Sequence, residues 1–204
     1  MRTGWILITA ILITVMTLGR TAIAADVHAY VTVSGPGVVY AAKEMAGAIF
    51  KKVGVTVEWP SSFKPIPGEP GVWLQIRLAE DTPNELLPGA LAISYPFAGC
   101  SKSIIVFADR VRAMAESGFG RHTFLLAYVL VHEITHVLQG VDRHAPTGVM
   151  KASWSLKDRI AIYRQRLDFP QEDIDLIRLG LAKGACQQTT LIGQSAPGSA
   201  RHPE

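Results

Sequence analysis

Apolar and small or polar residues alternate from Val27 to Val33, a period of two that reads as a β-strand ended by Ser34-Gly35-Pro36-Gly37. From Val38 to Lys52 the apolar residues recur at helical spacing. Lys43, Glu44, Lys51 and Lys52 form a wet face, and Gly54 stops the helix. Val55–Trp59 reads as a second strand, and the Pro- and Gly-rich run Pro60–Gly71 as a surface loop. Alternation returns in Val72–Leu78. A shorter apolar run, Leu91–Phe97, follows, and then the strongly β-prone Ser103–Phe107, which leads into Ala108–Glu116. Phe124 to Val131 (FLLAYVLV) is apolar on nearly every face, so the helix that continues through Leu138 is expected to be buried all round. Ser155-Leu156-Lys157-Asp158 has the form of a capping box with Asp in place of Glu, opening a helix towards Arg166. Pro170, Gln171 and Glu172 open another that runs to Leu181 and ends at Gly184. These last helices are expected to bury Trp154 and Tyr163 as core aromatics.

The first residues change the compartment. Arg2, the apolar stretch Trp5–Leu18 and Ala22-Ile23-Ala24 before Ala25 have the layout of a secretory signal peptide over residues 1–24. The apolar stretch is shorter than the ~20 residues that span a bilayer comfortably, which disfavours the alternative of an uncleaved anchor. Nothing else in the chain is long enough to span a membrane, so a secreted or periplasmic protein is expected. Residues 25–186 suffice for one domain. Residues 187–204, rich in Gly, Ser, Pro and polar groups, read as a disordered tail. With 49% hydrophobic and 18% charged residues the chain is able to bury a core. Its net charge of +3 comes without Lys/Arg clusters or interleaved aromatics, so no nucleic-acid partner is indicated. Cys100 and Cys186 are expected to pair in an oxidising compartment, with two idle thiols as the alternative. Neither lies in the Cys-x-x-Cys spacing of zinc ligands.

The chemistry is concentrated in His132–His144, HEITHVLQGVDRH. Residues four apart share a helix face, so His132 and His136 can present ring nitrogens to one tetrahedral ion. Glu133 then stands beside that ion and not on it, a position that suits a base taking a proton from metal-bound water. The apolar run before it buries all three polar groups, and each would cost ~1–3 kcal/mol or more if left unpaired. Metal ligation satisfies them together. A catalytic zinc site takes three protein ligands, and Gly140 ends the helix so that the chain can fold back with either Asp142 or His144.

At this point the sequence resembles the metzincin clan of zinc metallopeptidases. Their HExxHxxGxxH or HExxHxxGxxD pattern and Met-containing turn are matched by His132, Glu133, His136, a Gly, a candidate third ligand and Gly148-Val149-Met150. The segment from Arg143 to Trp154 is also similar to RHxxxGVMKAxW of exported bacterial proteins regarded as predicted peptidases. The departure lies in spacing. The clan's Gly position holds Gln139, one before Gly140, and its third-ligand position holds Asp142, while His144 lies two further on. His144 is favoured because neutral imidazole is the commonest zinc ligand and a wider turn absorbs the extra residues; Asp142, at the clan spacing, is the rival. Asp142 also reads as a solvated turn residue paired with Arg143. Met150 would, by resemblance, form a floor beneath the metal without bonding to it. Where several clan members carry an oxyanion-stabilising Tyr, this chain has Ala152.

The resemblance implies an α+β, zincin-like fold: a mixed twisted sheet, an active-site helix and a small C-terminal helical subdomain. It also implies that Leu91–Phe97 is the edge strand along the cleft, where an extended peptide substrate can add as another strand. The expected function is an exported zinc-dependent metallopeptidase with Glu133 as general base. The alternative is a zinc-bearing binding module of the same fold without turnover, motivated by Ala152 and the irregular spacing.

Overall fold

The computed structural model describes residues 25–32, 37–64, 71–95, 102–117 and 122–183. The expected leader and tail, both cysteines and Gly184 lie outside the described residues. The elements are β1 (Ala25–Thr32), α1 (Gly37–Lys51), β2 (Val55–Glu58), β3 (Val72–Ala79), β4 (Ala92–Ser94), β5 (Lys102–Phe107), α2 (Ala108–Glu116), α3 (His122–Gln139), α4 (Leu156–Tyr163) and α5 (Gln171–Lys183).

Alternation along β1 and β3 sends Val27, Ala29, Leu74 and Ile76 into the core, while Gln75 and Arg77 face water. Five strands form one sheet in the order β2-β1-β3-β5-β4. Its pairings are parallel except the last, in which β4 runs antiparallel to β5. The sheet is therefore mixed, with β4 on an edge, as the sequence resemblance implied.

α1 is amphipathic: Val39, Ala42, Ala46, Ile49 and Phe50 are buried and Glu44 and Lys51 exposed. α3 is different, since every residue from Leu125 to Gln139 is buried. It packs against α1, α2, α4, α5 and the β4–β5 side of the sheet, which is why its sequence shows no polar face. No helix among the described residues is long and apolar enough to cross a membrane.

The edge strand expected over Leu91–Phe97 is Ala92–Ser94, with Pro96 and Phe97 outside the described residues, and two helical boundaries also differ from the sequence expectation. Ala108–Glu116 is a helix of its own between the last strand and α3, burying Val111 and Ala115. α4 opens on the expected capping box, with Ser155 and Asp158 each accepting from the other's backbone N–H. It closes at Tyr163, short of Arg166, because Gln165 turns left-handed (φ 54°). The N–H groups of Arg166 and Gln165 then bond back to Ala161 and Ile162 carbonyls at 2.8 and 2.9 Å.

The loop between β3 and β4 is held from α2. The Arg110 guanidinium donates to the carbonyls of Pro83, Leu86, Leu87 and Ala90 at 2.7–3.1 Å. Asp109 accepts from the backbone N–H and the hydroxyl of Thr82 at 3.0 and 2.8 Å. These bonds retain Leu87 in the left-handed region (φ 44°), a conformation that costs an L-residue about 1–2 kcal/mol.

Gly180, in the middle of α5, has a steric reason. A Cβ there would lie 1.9 Å from the Leu138 carbonyl oxygen, so α5 reaches the end of α3 only without a side chain. Gly180→Ala should lower the melting temperature although Ala is the better helix former by about 1 kcal/mol. A rise in melting temperature would show that the two helices do not pack this closely.

Candidate metal centre

His132 and His136 stand one turn apart on the buried stretch of α3. The Nδ1 of His132 lies 2.9 Å from the Val149 carbonyl, and the Nδ1 of His136 lies 3.3 Å from that of Val141. A carbonyl only accepts, so both rings donate from Nδ1 and keep a lone pair on Nε2. The two Nε2 atoms face each other at 3.1 Å. Two neutral lone pairs at that distance have no proton to share. Burial depresses both imidazoles, His132 to about 4 against the opposing Val149 hydrogen bond, so both are neutral at pH 7.

This donor set suits a divalent cation. Ligand nitrogens 2.0–2.1 Å from a tetrahedral ion lie about 3.3–3.4 Å apart, close to the spacing of the two Nε2 atoms. The backbone carbonyls that orient the rings are the partners that metal-ligating histidines require on their second nitrogen. His144 completes the set: one ligand atom from each of His132, His136 and His144 lies within 4.8 Å of the others. Asp142, exposed like His144, lies outside this group.

The turn geometry explains why the third member is two residues beyond the clan spacing. α3 continues through Gln139, and Gly140 then takes the left-handed conformation (φ 65°) that ends it. The chain from Val141 to Ala145 has no regular structure and returns His144 to the two rings. Arg143 does not pair with its neighbour Asp142. It bonds Asp173 at 2.8 Å and Glu172 at 2.7 Å, at the start of α5. Asp173 is fully buried, so Arg143 anchors the return loop at a carboxylate that water does not reach. The buried Gln139 side chain donates to the Asp173 carbonyl at 3.3 Å beside it.

The next turn supports His132. The Ala145 N–H donates to the Met150 carbonyl at 2.7 Å, and the Val149 N–H to the Asp168 carbonyl at 3.3 Å. Gly148 sits between (φ 75°), where a Cβ would meet Asp168 oxygen at 2.6 Å. Met150 is fully buried in the core. Trp154, expected to be buried by the C-terminal helices, is half-buried at the site instead. Its Nε1–H donates to the same Val149 carbonyl at 3.2 Å, and its ring meets His132 edge-on at 5.7 Å.

Glu133 is buried beside His132. Burial pushes its carboxyl up to about 7, opposed by a hydrogen bond from the Ser94 hydroxyl and reinforced by the charge of Asp142. A base poised near neutral pH follows from that environment. A cleft of about 290 Å³ opens here, bounded by Leu91 and Ala92 on one side, His132, Glu133 and His144 on its floor, and Trp154 on the other. Ala152 lines it where several metzincins carry a Tyr. Ser94 carried no sequence signal, being one hydroxyl in an apolar run.

No protein-family model and no curated protein matches the sequence. Among solved structures the chain is similar to archaemetzincin from Methanopyrus kandleri. The TM-score is 0.51 at 15% identity, over 81% of this chain and 99% of that one. The fold is zincin-like. Within it, the candidate ligands occupy the central helix and the return loop after it, and the Met turn carries the carbonyl that orients His132.

Arg143→Ala would strip the buried Asp173 of its cation, and such a loss costs about 1–3 kcal/mol or more. Urea denaturation should show that loss of stability, whereas Asp142→Ala should be neutral. Equal midpoints for the two variants would remove Arg143 as the anchor of the return loop.

Proposed function

We propose that this protein is an exported zinc-dependent metallopeptidase that uses His132, His136 and His144 as metal ligands and Glu133 as general base. The observation that carries the reading is the pair of Nε2 lone pairs facing each other at 3.1 Å inside a buried helix, with both Nδ1 atoms committed to backbone carbonyls. A cation between the two rings relieves an arrangement of acceptors that has no donor. The similarity in fold to archaemetzincin supports the same reading. Three neutral nitrogens suit zinc, which when bound acts as a Lewis acid, lowering the pKa of water and polarising a carbonyl.

The chain's own groups supply the rest. Glu133, held by the Ser94 hydroxyl, accepts a proton from the water whose oxygen attacks the peptide carbonyl carbon. As the C–N bond breaks, the same carboxyl delivers that proton to the leaving amine. β4, on the sheet edge beside the cleft, aligns an extended peptide through the backbone groups that no other strand pairs among the described residues. Ala152 stands where several metzincins carry a Tyr, so a bound zinc and backbone N–H groups would supply the oxyanion stabilisation.

Metal analysis of the purified mature chain should find one zinc per molecule, retained in Asp142→Ala and lost or weakened at least tenfold in His144→Ala. Retention by His144→Ala with loss in Asp142→Ala would reverse the ligand assignment. Glu133→Gln should keep its metal and lose peptide cleavage by a factor of about 10²–10⁴. A variant as active as the parent would eliminate Glu133 as the base, and a zinc-loaded parent that cuts no peptide would favour the binding-module reading.

A further inference from the structure

The cleft over Glu133 has a neighbour. A groove of about 370 Å³ shares Gly89, Ala90, Leu91 and Met114 with it. Each wall of the cleft is continued there by the next element of the chain. On one side the rim Gly89–Leu91 passes to the α2 face that carries Arg110 and Ala113; on the other the segment Lys151–Trp154 passes to Arg159 of α4.

Two guanidinium groups and no carboxylate line this groove. Arg110 donates to four carbonyls, neutral acceptors that fix the group and leave its charge uncompensated. Arg159 is half-buried, and its Nε is shut off from solvent with no hydrogen-bond partner. Neither arginine forms an ion pair among the described residues, whereas Lys151 in the cleft is paired with Asp158. Two like charges on one groove repel each other, and a buried guanidinium N–H without an acceptor is unfavourable. A carboxylate relieves both, because it accepts two N–H bonds from one guanidinium and offsets the charge of the pair.

We infer that this groove is a carboxylate subsite: it receives an anionic group of the peptide in the cleft, either its C-terminal carboxylate or the side chain of an Asp or Glu on the C-terminal side of the cut. The polarity follows from the strand. The groove adjoins Gly89–Leu91, beyond the N-terminal end of β4, and a peptide running antiparallel to β4 points its C-terminal half there. The opposite direction would bring the N-terminal half, with its ammonium, to two guanidiniums, so their charge also selects the direction of the chain. Because Arg110 is fixed by its four bonds, this positive field exists before a peptide arrives.

The inference rests on the peptidase reading, and one set of peptides separates the two. The zinc-loaded mature chain is given ten-residue Ala/Ser/Leu peptides with blocked N-termini in three forms: a C-terminal acid, a C-terminal amide, and an amide with one glutamate walked along the sequence. Products are mapped by mass spectrometry, and binding of the same peptides is measured by titration calorimetry on zinc-loaded Glu133→Gln. A carboxylate at a fixed spacing on the C-terminal side of the cut should raise kcat/KM about tenfold or more over the neutral amide, chiefly through KM. A gain from the acid alone assigns the groove to the chain terminus, and a gain from the glutamate amide assigns it to a side chain. In Arg159→Gln the ratio of acidic to neutral cleavage should fall towards one. Ala113→Glu, which sets a carboxylate on the exposed α2 side of the groove, should abolish the preference independently. Each variant is read as a ratio, so a general loss of activity does not imitate the result. Equal cleavage of acidic and neutral peptides by the parent, a gain from glutamate only on the N-terminal side, or the parental ratio in both variants would overturn the subsite alone. Acidic peptides that bind preferentially and are never cut would keep the subsite and overturn the peptidase reading; neither preferential binding nor cleavage would overturn both.

Discussion

Two imidazoles in a buried helix, each tied by Nδ1 to a backbone carbonyl, impose the constraint on which the rest of the structure depends. Their Nε2 lone pairs face each other at 3.1 Å, with the His144 ring beside them. The arrangement holds because the carbonyls come from two different segments, the return loop at Val141 and the Met turn at Val149. Both segments must be held for the rings to stay in place. Arg143 holds the first to α5 through the buried Asp173, and the close approach of Val149 to Asp168 holds the second. The C-terminal helices thus act on the centre without supplying a ligand.

The sheet contributes from the other side. Because β4 runs antiparallel at the edge, its alternate residues serve two faces: Ser94 reaches Glu133, and Ile93 faces away from it. One short strand therefore positions the proposed base and borders the cleft. The loop before β4 is rigid for the same purpose. One guanidinium satisfies four carbonyls that would otherwise need water, so the cleft rim at Gly89–Ala92 is held by α2.

Trp154 and Asp142 show how local reading of a site misleads. Trp154 reads as a core aromatic because the residues after it form helices, yet its indole N–H ends on the carbonyl that orients His132. Asp142 and Arg143 read as a surface pair because they are adjacent. A buried carboxylate on α5, 30 residues away, binds the arginine more strongly than a solvated neighbour can.

Periodicity alone determined the amphipathic α1, the alternating β1 and β3, and the all-round burial of α3, because those patterns record how many faces of an element meet apolar neighbours. The HExxH spacing likewise placed His132, Glu133 and His136 together, since helical geometry is local. The sequence favoured His144 over Asp142, but only the tertiary structure set His144 beside the two rings and left Asp142 out of the group: where a loop returns depends on Gly140, on Arg143 meeting Asp173, and on Gly180 letting α5 approach. The partners of the rings are backbone carbonyls, which every residue carries and no sequence can mark. Ser94 was equally hidden, because which face a three-residue edge strand shows to which neighbour is decided by its register with β5.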